Sequence, residues 1–349
     1  MVTGDRRRRV TIADVASHAQ VSTTAVSKVI RNAYGVSPAM RDRVQAAIAE
    51  LGYRPHAAAR AMRGRTFTLG VMLPDIRSPF FAELLDGLTE HLADTEYQAI
   101  MIQGGLTQQS EERAINALVD RQVDGILMVA PLAAKARLER VAGDTPTVVL
   151  GRHERSAVYD TVCDDDDTGA RLAVEHLISL GHRRIAHIAH RDNSRARPDD
   201  LLHVIRAETY KRVMRDHGLA DEIAVVTTSY SADGGYQGAR ELLGRTPRPT
   251  AIFAGADQAA IGVLGAAPEA GLTVPADLSV VGYDNIQLAA LPNIALTTID
   301  QDGTVMGRTA ARLLLERIEG RTSALRFSVT PSLIVRHSTA APPQEDTRR

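Results

Sequence analysis

Hydrophobic positions change their spacing along this chain. Over the first fifty residues they recur every three or four positions in short bursts, the period of small amphipathic helices. Ile12, Val15, Ala16 and Ala19 form one stripe, and Thr11 with Asp14 three residues later has the spacing of a capping box. Gln20 and Val21 interrupt the stripe. Ser22 then caps a second helix, TTAVSKVIR, in which Val26, Val29 and Ile30 continue the apolar face. Thr23, Thr24, Ser27, Lys28 and Arg31 lie away from it. Two short helices joined this tightly form a helix-turn-helix. A third helix is predicted from Ser37 as cap and Pro38 at its first position to Gly52, a residue that accepts the left-handed end of a helix. The following HAAARAMRGR is alanine-rich, basic and too short to be stable alone, so it gains order only on a partner.

From Thr66 onward the pattern alternates between short apolar runs and amphipathic stretches. LGVML, AIMIQ, GILMV and TVVLG read as strands separated by helices such as FFAELLDGLTEHL and EERAINALVDR. A second set begins near Val162 and includes RIAHIAH, IAVVT, AIFAG and LSVVGYD, again with helices between. The succession implies two lobes of parallel sheet covered by helices. Open sheets of this kind bind ligands beyond the carboxyl ends of their strands, so two facing lobes place a cleft between them.

At 349 residues the chain holds two or three domains. The single cysteine, Cys163, excludes an internal disulfide framework and a cysteine-based zinc site. No run reaches the length of a membrane span, and no apolar segment follows the opening MVTGDRRRRV, which leads to the expectation of a cytoplasmic protein. The net charge of −1 conceals a division. Residues 1–65 carry 12 Lys+Arg against 4 Asp+Glu, and the remainder carries 29 against 38. A basic end suited to a polyanion is thus joined to an acidic body.

In a helix-turn-helix the first residues of the second helix reach base edges in the major groove, which makes Thr23 and Thr24 candidate readers. Lys28, one turn on, is placed for a base or a phosphate. The string VTIADVASHAQVSTTAVSKVIRN, with VSPAMRDRVQAAIAELGYRP and ARAMRGR, resembles the headpiece and hinge of the lactose-repressor (LacI) family. GARLAVEHLISLGHRRIAHI, RPTAIFAGADQAAIGVL and VPADLSVVGYDNI extend the resemblance to about His337.

The resemblance implies an all-α helix-turn-helix headpiece (1–54), a hinge (55–65) and an α/β body (66–340) like a periplasmic binding protein with two Rossmann-like lobes. The lobes are expected at 66–163 with 292–325, and at 164–291 with 326–340, before a disordered tail at 341–349. It implies a homodimer on a palindromic double-stranded operator, contacted through Thr11, Ser22, Thr23, Thr24, Ser27, Lys28, Arg31 and Arg60, with Met62 as a minor-groove wedge. It also implies a carbohydrate or related metabolite in the cleft, met by Asp75, Phe80, Phe81, Arg206, Asp257 and Asp284. Repression is the family's common outcome. No cofactor and no membrane association is expected.

Some positions depart from the family pattern. Gln20 stands where glycine is usual in the turn, His56 replaces asparagine, Met40 threonine and Met62 leucine. Thr209 replaces the glycine of the R-x-x-G-Y pattern, and Ala256 the asparagine before Asp257, which removes an amide's hydrogen bonds from the cleft. The loop RDNSRARPDDLLHV is longer than usual, and Pro268 is expected to kink a helix.

The run Asp164–Asp167 invites a metal or hydrolase reading, but it opens a predicted helix, where acidic residues complement the dipole. No H-E-x-x-H, G-x-S-x-G or G-x-x-x-x-G-K segment is present. A ligand-controlled regulator is therefore expected, ahead of a hydrolase with a basic arm. A binding protein without a DNA role conflicts with the +8 end.

Overall fold

The computed structural model describes residues 10–30, 33–53, 65–191 and 201–344. Arg31, Arg60, Met62, His56, the arginines at 6–9 and nearly all of the expected hinge lie outside them. The chain divides into two compact units that meet at Thr66 and Phe67.

The first unit holds α1 (Ile12–His18), α2 (Thr23–Ile30) and α3 (Pro38–Leu51). Thr11 closes the predicted capping box, its hydroxyl accepting from the Asp14 N–H at 3.3 Å while its own N–H donates to Oδ2 of Asp14 at 2.7 Å. Ser22 Oγ accepts from the Ala25 N–H at 3.1 Å, and Ser37 Oγ from that of Met40 at 3.3 Å. Caps of this kind contribute about 1 kcal/mol each. Gln20 takes the left-handed conformation at φ 53°, so the turn accommodates the residue that stands in place of glycine. The apolar faces converge on Val15, Ala16, Ala19, Val26, Val29, Val44 and Ala47, all buried.

The second unit contains two six-stranded sheets. One has the order β11-β5-β4-β3-β1-β2, formed by β1 (Thr68–Leu73), β2 (Gln98–Gln103), β3 (Gly125–Val129), β4 (Thr147–Leu150), β5 (Asp160–Asp164) and β11 (Arg326–Val329), all parallel. The other has the order β12-β10-β9-β8-β6-β7, from β6 (Ile185–His190), β7 (Ala224–Thr228), β8 (Ala251–Ala254), β9 (Ser279–Tyr283), β10 (Thr297–Asp300) and the antiparallel β12 (Ser332–Ile334). The central strands read as continuous apolar runs because helices cover both faces.

In the first lobe these helices are α4 (Pro79–Leu92), α5 (Gln108–Asp120), α6 (Lys135–Asp144) and α11 (Gly303–Ile318). In the second they are α7 (Asp166–Ser179), α8 (Leu202–Asp216), α9 (Ala232–Leu243) and α10 (Asp257–Ala266). None among the described residues is long and apolar enough to cross a membrane.

Two expected lobe boundaries move. β10 pairs with β9 in the second sheet, so the return to the first lobe falls after Asp300 rather than at 292. β11 pairs with β5, so the last crossing falls after Val329 rather than at 326. Strand pairing is non-local, and strands of three or four residues carry too little pattern to reveal their sheet. Pro268 ends α10 instead of kinking it, since the helix stops at Ala266 and a single 3-10 turn, Pro268–Ala270, follows. Within the expected tail, Pro342 lies against Gly181.

Candidate functional site

Two regions bring the candidate residues together. On α2, Ser22, Thr23, Thr24 and Lys28 are exposed and Ser27 is half-buried, whereas Val26 and Val29 are buried. Thr23 and Thr24 thus begin a helix whose polar face is open to a partner. Thr11 and Ser22, also expected at the DNA, use their side chains as helix caps.

The residues expected in the cleft follow strand ends or stand on the helices beside them. Asp75, after β1, holds Arg77 through the backbone N–H at 2.8 Å and the guanidinium at 3.3 Å. Phe80 packs against the apolar cores of both lobes, and Phe81 meets it edge-on at 6.1 Å between ring centroids. Arg206 on α8 is 2% exposed. Its Nε donates to Asp166 at 2.5 Å, its Nη1 to the Gly255 carbonyl at 2.7 Å, and its guanidinium lies 3.5 Å from the centroid of the Tyr283 ring. Asp284 follows β9 at φ 115°, with Oδ1 accepting from Gln301 Nε2 at 2.6 Å.

Asp257, also expected in the cleft, braces two segments of the second lobe. Oδ1 accepts from Thr298 on β10 at 2.5 Å and Oδ2 from the Ile286 N–H at 2.9 Å, with the side chain fully buried. Its pairing with the loop after β9 helps fix where Asp284 stands.

Other groups near these residues were not assigned to the cleft from the sequence. The acidic run divides its labour: Asp165 caps α7 through the Thr168 N–H at 3.1 Å, Asp167 bonds Thr209 and Arg212, and Asp164 and Asp166 turn inward. Asp166 spans the lobes, one oxygen on Arg206 and the other on His153, beyond β4, at 2.7 Å. Tyr283 Oη donates to Asp164 at 2.5 Å, which ties β9 of one lobe to β5 of the other. Gln258 Nε2 donates to the Arg77 carbonyl at 2.8 Å, and the Gln287 N–H to Glu83 at 3.1 Å.

Charge follows this geometry. Burial alone would raise Asp166, but Arg206 and His153 hold it below the ordinary carboxylate range. Burial and the neighbouring Asp166 push Asp164 up to about 7. Asp284 is raised well above its usual value, by burial first, with Asp257 and Asp164 adding to it and Arg206 opposing. Among the described residues no group of three His, Cys, Asp or Glu is arranged to hold a metal ion.

Residues 11–56 match the family described as bacterial regulatory proteins, lacI family, and residues 174–339 match a periplasmic binding protein-like domain. The chain is 33% identical over 316 residues to catabolite control protein A of Priestia megaterium, covering 90% of this chain and 94% of that one. It is 34% identical over 334 residues to the ribose operon repressor of Escherichia coli K12, covering 94% and 99%. Among solved structures it is similar to the lac repressor dimer bound to operator and the anti-inducer ONPF, with TM-score 0.81 and 27% identity over 96% of this chain and all of that one.

Proposed function

The chain belongs to the LacI family of bacterial regulatory proteins, and from that premise we propose how its two regions divide the work. It regulates transcription as a dimer on a palindromic operator, as a repressor, under control of a small molecule held between the lobes of the body. One observation carries this reading: a single chain joins a helix with an exposed polar face to a two-lobed body, and the lac repressor, similar to it along nearly the whole chain, is a dimer on its operator. Thr23 and Thr24 read base edges, Lys28 contacts a base or phosphate, and Arg31, Arg60 and Met62 complete the interface. Asp75, Phe80, Phe81, Arg206, Asp257 and Asp284 meet the effector. The ribose operon repressor's name supports a sugar or related metabolite as effector class. The protein works in the cytoplasm and catalyses no reaction.

An effector alters operator affinity only to the extent that it binds one arrangement of the lobes better than the other. The ties through Asp166, Tyr283, Gln258 and Gln287 join the lobes, so they are the interactions such a preference works on. A gel-shift titration on DNA upstream of the protein's own gene tests the reading. Specific retardation of a palindromic fragment is expected, and binding no better than to a scrambled fragment at low salt refutes it. With Thr24→Ala, selection from a randomised operator should show relaxed preference at particular base pairs, by about 1–3 kcal/mol for each base it no longer reads. An unchanged preference removes Thr24 from the readers.

A further inference from the structure

A groove opens beside the amino-terminal ends of β5 and β11, whereas Asp75 and Asp284 follow the carboxyl ends of β1 and β9. It is lined by Arg155, Ser156, Thr161, Ala324, Leu325 and Arg326 and holds about 320 Å³. That is near the lower end of the roughly 300–1,000 Å³ of small-molecule sites. Arg326 and Thr161 are register partners on neighbouring strands, so their side chains share one face of the sheet, with backbones about 5 Å apart. The loop after β4 supplies the opposite wall and is held in place. Lys135 Nζ donates to the Arg155 carbonyl, and Ser156 Oγ donates to Glu139 at 2.9 Å while accepting from the Val158 N–H at 3.0 Å. The groove is therefore formed before anything enters it.

Its charge runs against that of its surroundings. Beyond residue 65 the chain carries 29 Lys+Arg against 38 Asp+Glu, and surface arginines such as Arg77, Arg137, Arg308 and Arg312 each meet a carboxylate. Arg155 is exposed, and its guanidinium has neither ion pair nor hydrogen bond among the described residues. Arg326 gives Nη2 to Nδ1 of His153 at 3.2 Å and to the Cys163 sulfur at 3.9 Å, neutral acceptors that leave its charge, its Nε and its Nη1 uncompensated. Thr161 is 3% exposed, and its hydroxyl has no partner among the described residues. The carboxylate of Glu139 beyond Ser156 is shared between that hydroxyl and Lys135, 3.7 Å away. Two guanidiniums and a free hydroxyl thus meet in a groove with no acidic lining residue.

We propose that this groove binds a small phosphate monoester, its dianionic group between Arg155 and Arg326 and accepting from the Thr161 hydroxyl. Planar guanidinium forks match phosphate oxygens in pairs, and a dianion neutralises both arginines where a lone carboxylate neutralises one. Leu325, 43% exposed, and Ala324 give the carbon stem of the ester an apolar wall. The site lies outside the regulator reading and rests on no part of it. Arg326 also holds His153, whose Nε2 pairs with Asp166 at 2.7 Å, so replacing Arg326 disturbs a tie between the lobes. Arg155 has no such second partner, which makes it the diagnostic residue.

The test titrates the full-length protein with glycerol 3-phosphate at about pH 8, where a monoester is a dianion, against glycerol and sodium chloride at matched ionic strength. Thermal unfolding and calorimetry are the readouts. Glycerol 3-phosphate should raise the unfolding midpoint more than either control. Arg155→Ala should keep the parental midpoint without the ester, because Arg155 is exposed, and should bind the ester about tenfold or more weakly, the worth of a hydrogen bond to a charged group. Thr161→Val should weaken binding to a smaller extent. Modification by phenylglyoxal, located by peptide mass spectrometry, should be blocked at Arg155 when the ester is present. Equal shifts from ester and controls, no shift from the ester, unchanged affinity in Arg155→Ala, or protection confined to other arginines each overturns the proposal. Operator affinity without the ester should be the same in the parent and in Arg155→Ala. Loss of the groove therefore leaves the regulator reading standing, and failure to bind any palindrome refutes that reading while leaving ester binding to be judged by its own titration.

Discussion

At the scale of single residues, the pair Arg206–Asp166 shows how a buried charge is held in place. Asp166 is fully buried, Arg206 nearly so, and their 2.5 Å ion pair is supported by His153 on one side and the Gly255 carbonyl on the other. Removing one partner of such a pair leaves an uncompensated buried charge, which costs about 3–5 kcal/mol, whereas removing both leaves none. Arg206→Met should therefore lower stability substantially in denaturant unfolding, and adding Asp166→Leu should recover much of the loss. Additive losses would show that the two residues act separately. The consequence is practical: loss of effector response in an Arg206 variant is interpretable only beside a stability measurement, since the arginine proposed to meet the effector is a structural group as well.

At the scale of elements, the two lobes solve one packing problem in the same way. α4 and α11 cross so closely that a Cβ on Gly87 would lie 2.0 Å from the Thr304 carbonyl oxygen, and one on Gly307 would lie 1.8 Å from that of Leu84. In the second lobe Gly235 and Gly262 have the same relation to the Ala259 and Ala232 carbonyls, at 2.0 Å each. Backbone blocks each added methyl, so the helices must separate. Gly307→Ala should cost about 1–3 kcal/mol in urea unfolding, the usual penalty of overpacking, and Gly143→Ala, with open space around it, should cost far less. Equal effects would argue against close helix packing.

These elements also show what the sequence made legible. The caps at Thr11, Ser22 and Ser37 and the apolar runs of β3 and β4 could be read because their cause lies within a few residues. The glycine crossings, the sheet membership of β10 and β11 and the bond from Asp166 to Arg206 could not, because their partners are distant along the chain. The bonds of Asp257 were hidden for the same reason, since the groups that claim it come from Ile286 and Thr298.

At the scale of the whole molecule, the division of charge sets how the protein finds DNA. A +8 segment of 65 residues is joined to a remainder of −9, so a dimer presents two cationic ends on an anionic body. The ends draw phosphates while the body is repelled, which favours approach by the headpieces. Neutralised phosphates release counterions, and the logarithm of the binding constant falls with the logarithm of salt by about 0.9 for each one. Hydrogen bonds to bases shift affinity without changing that slope. The two kinds of residue are therefore separable in a single experiment. Replacing Arg6, Arg7, Arg8 and Arg9 by alanine should weaken specific and non-specific binding alike and flatten the salt slope by about 0.9 for every phosphate no longer neutralised. Thr24→Ala should leave the slope in place and reduce only the specific constant. If the arginine variant kept the parental slope, the basic arm would not touch the DNA backbone, and the attraction would have to come from Lys28 and its neighbours on the reading helix.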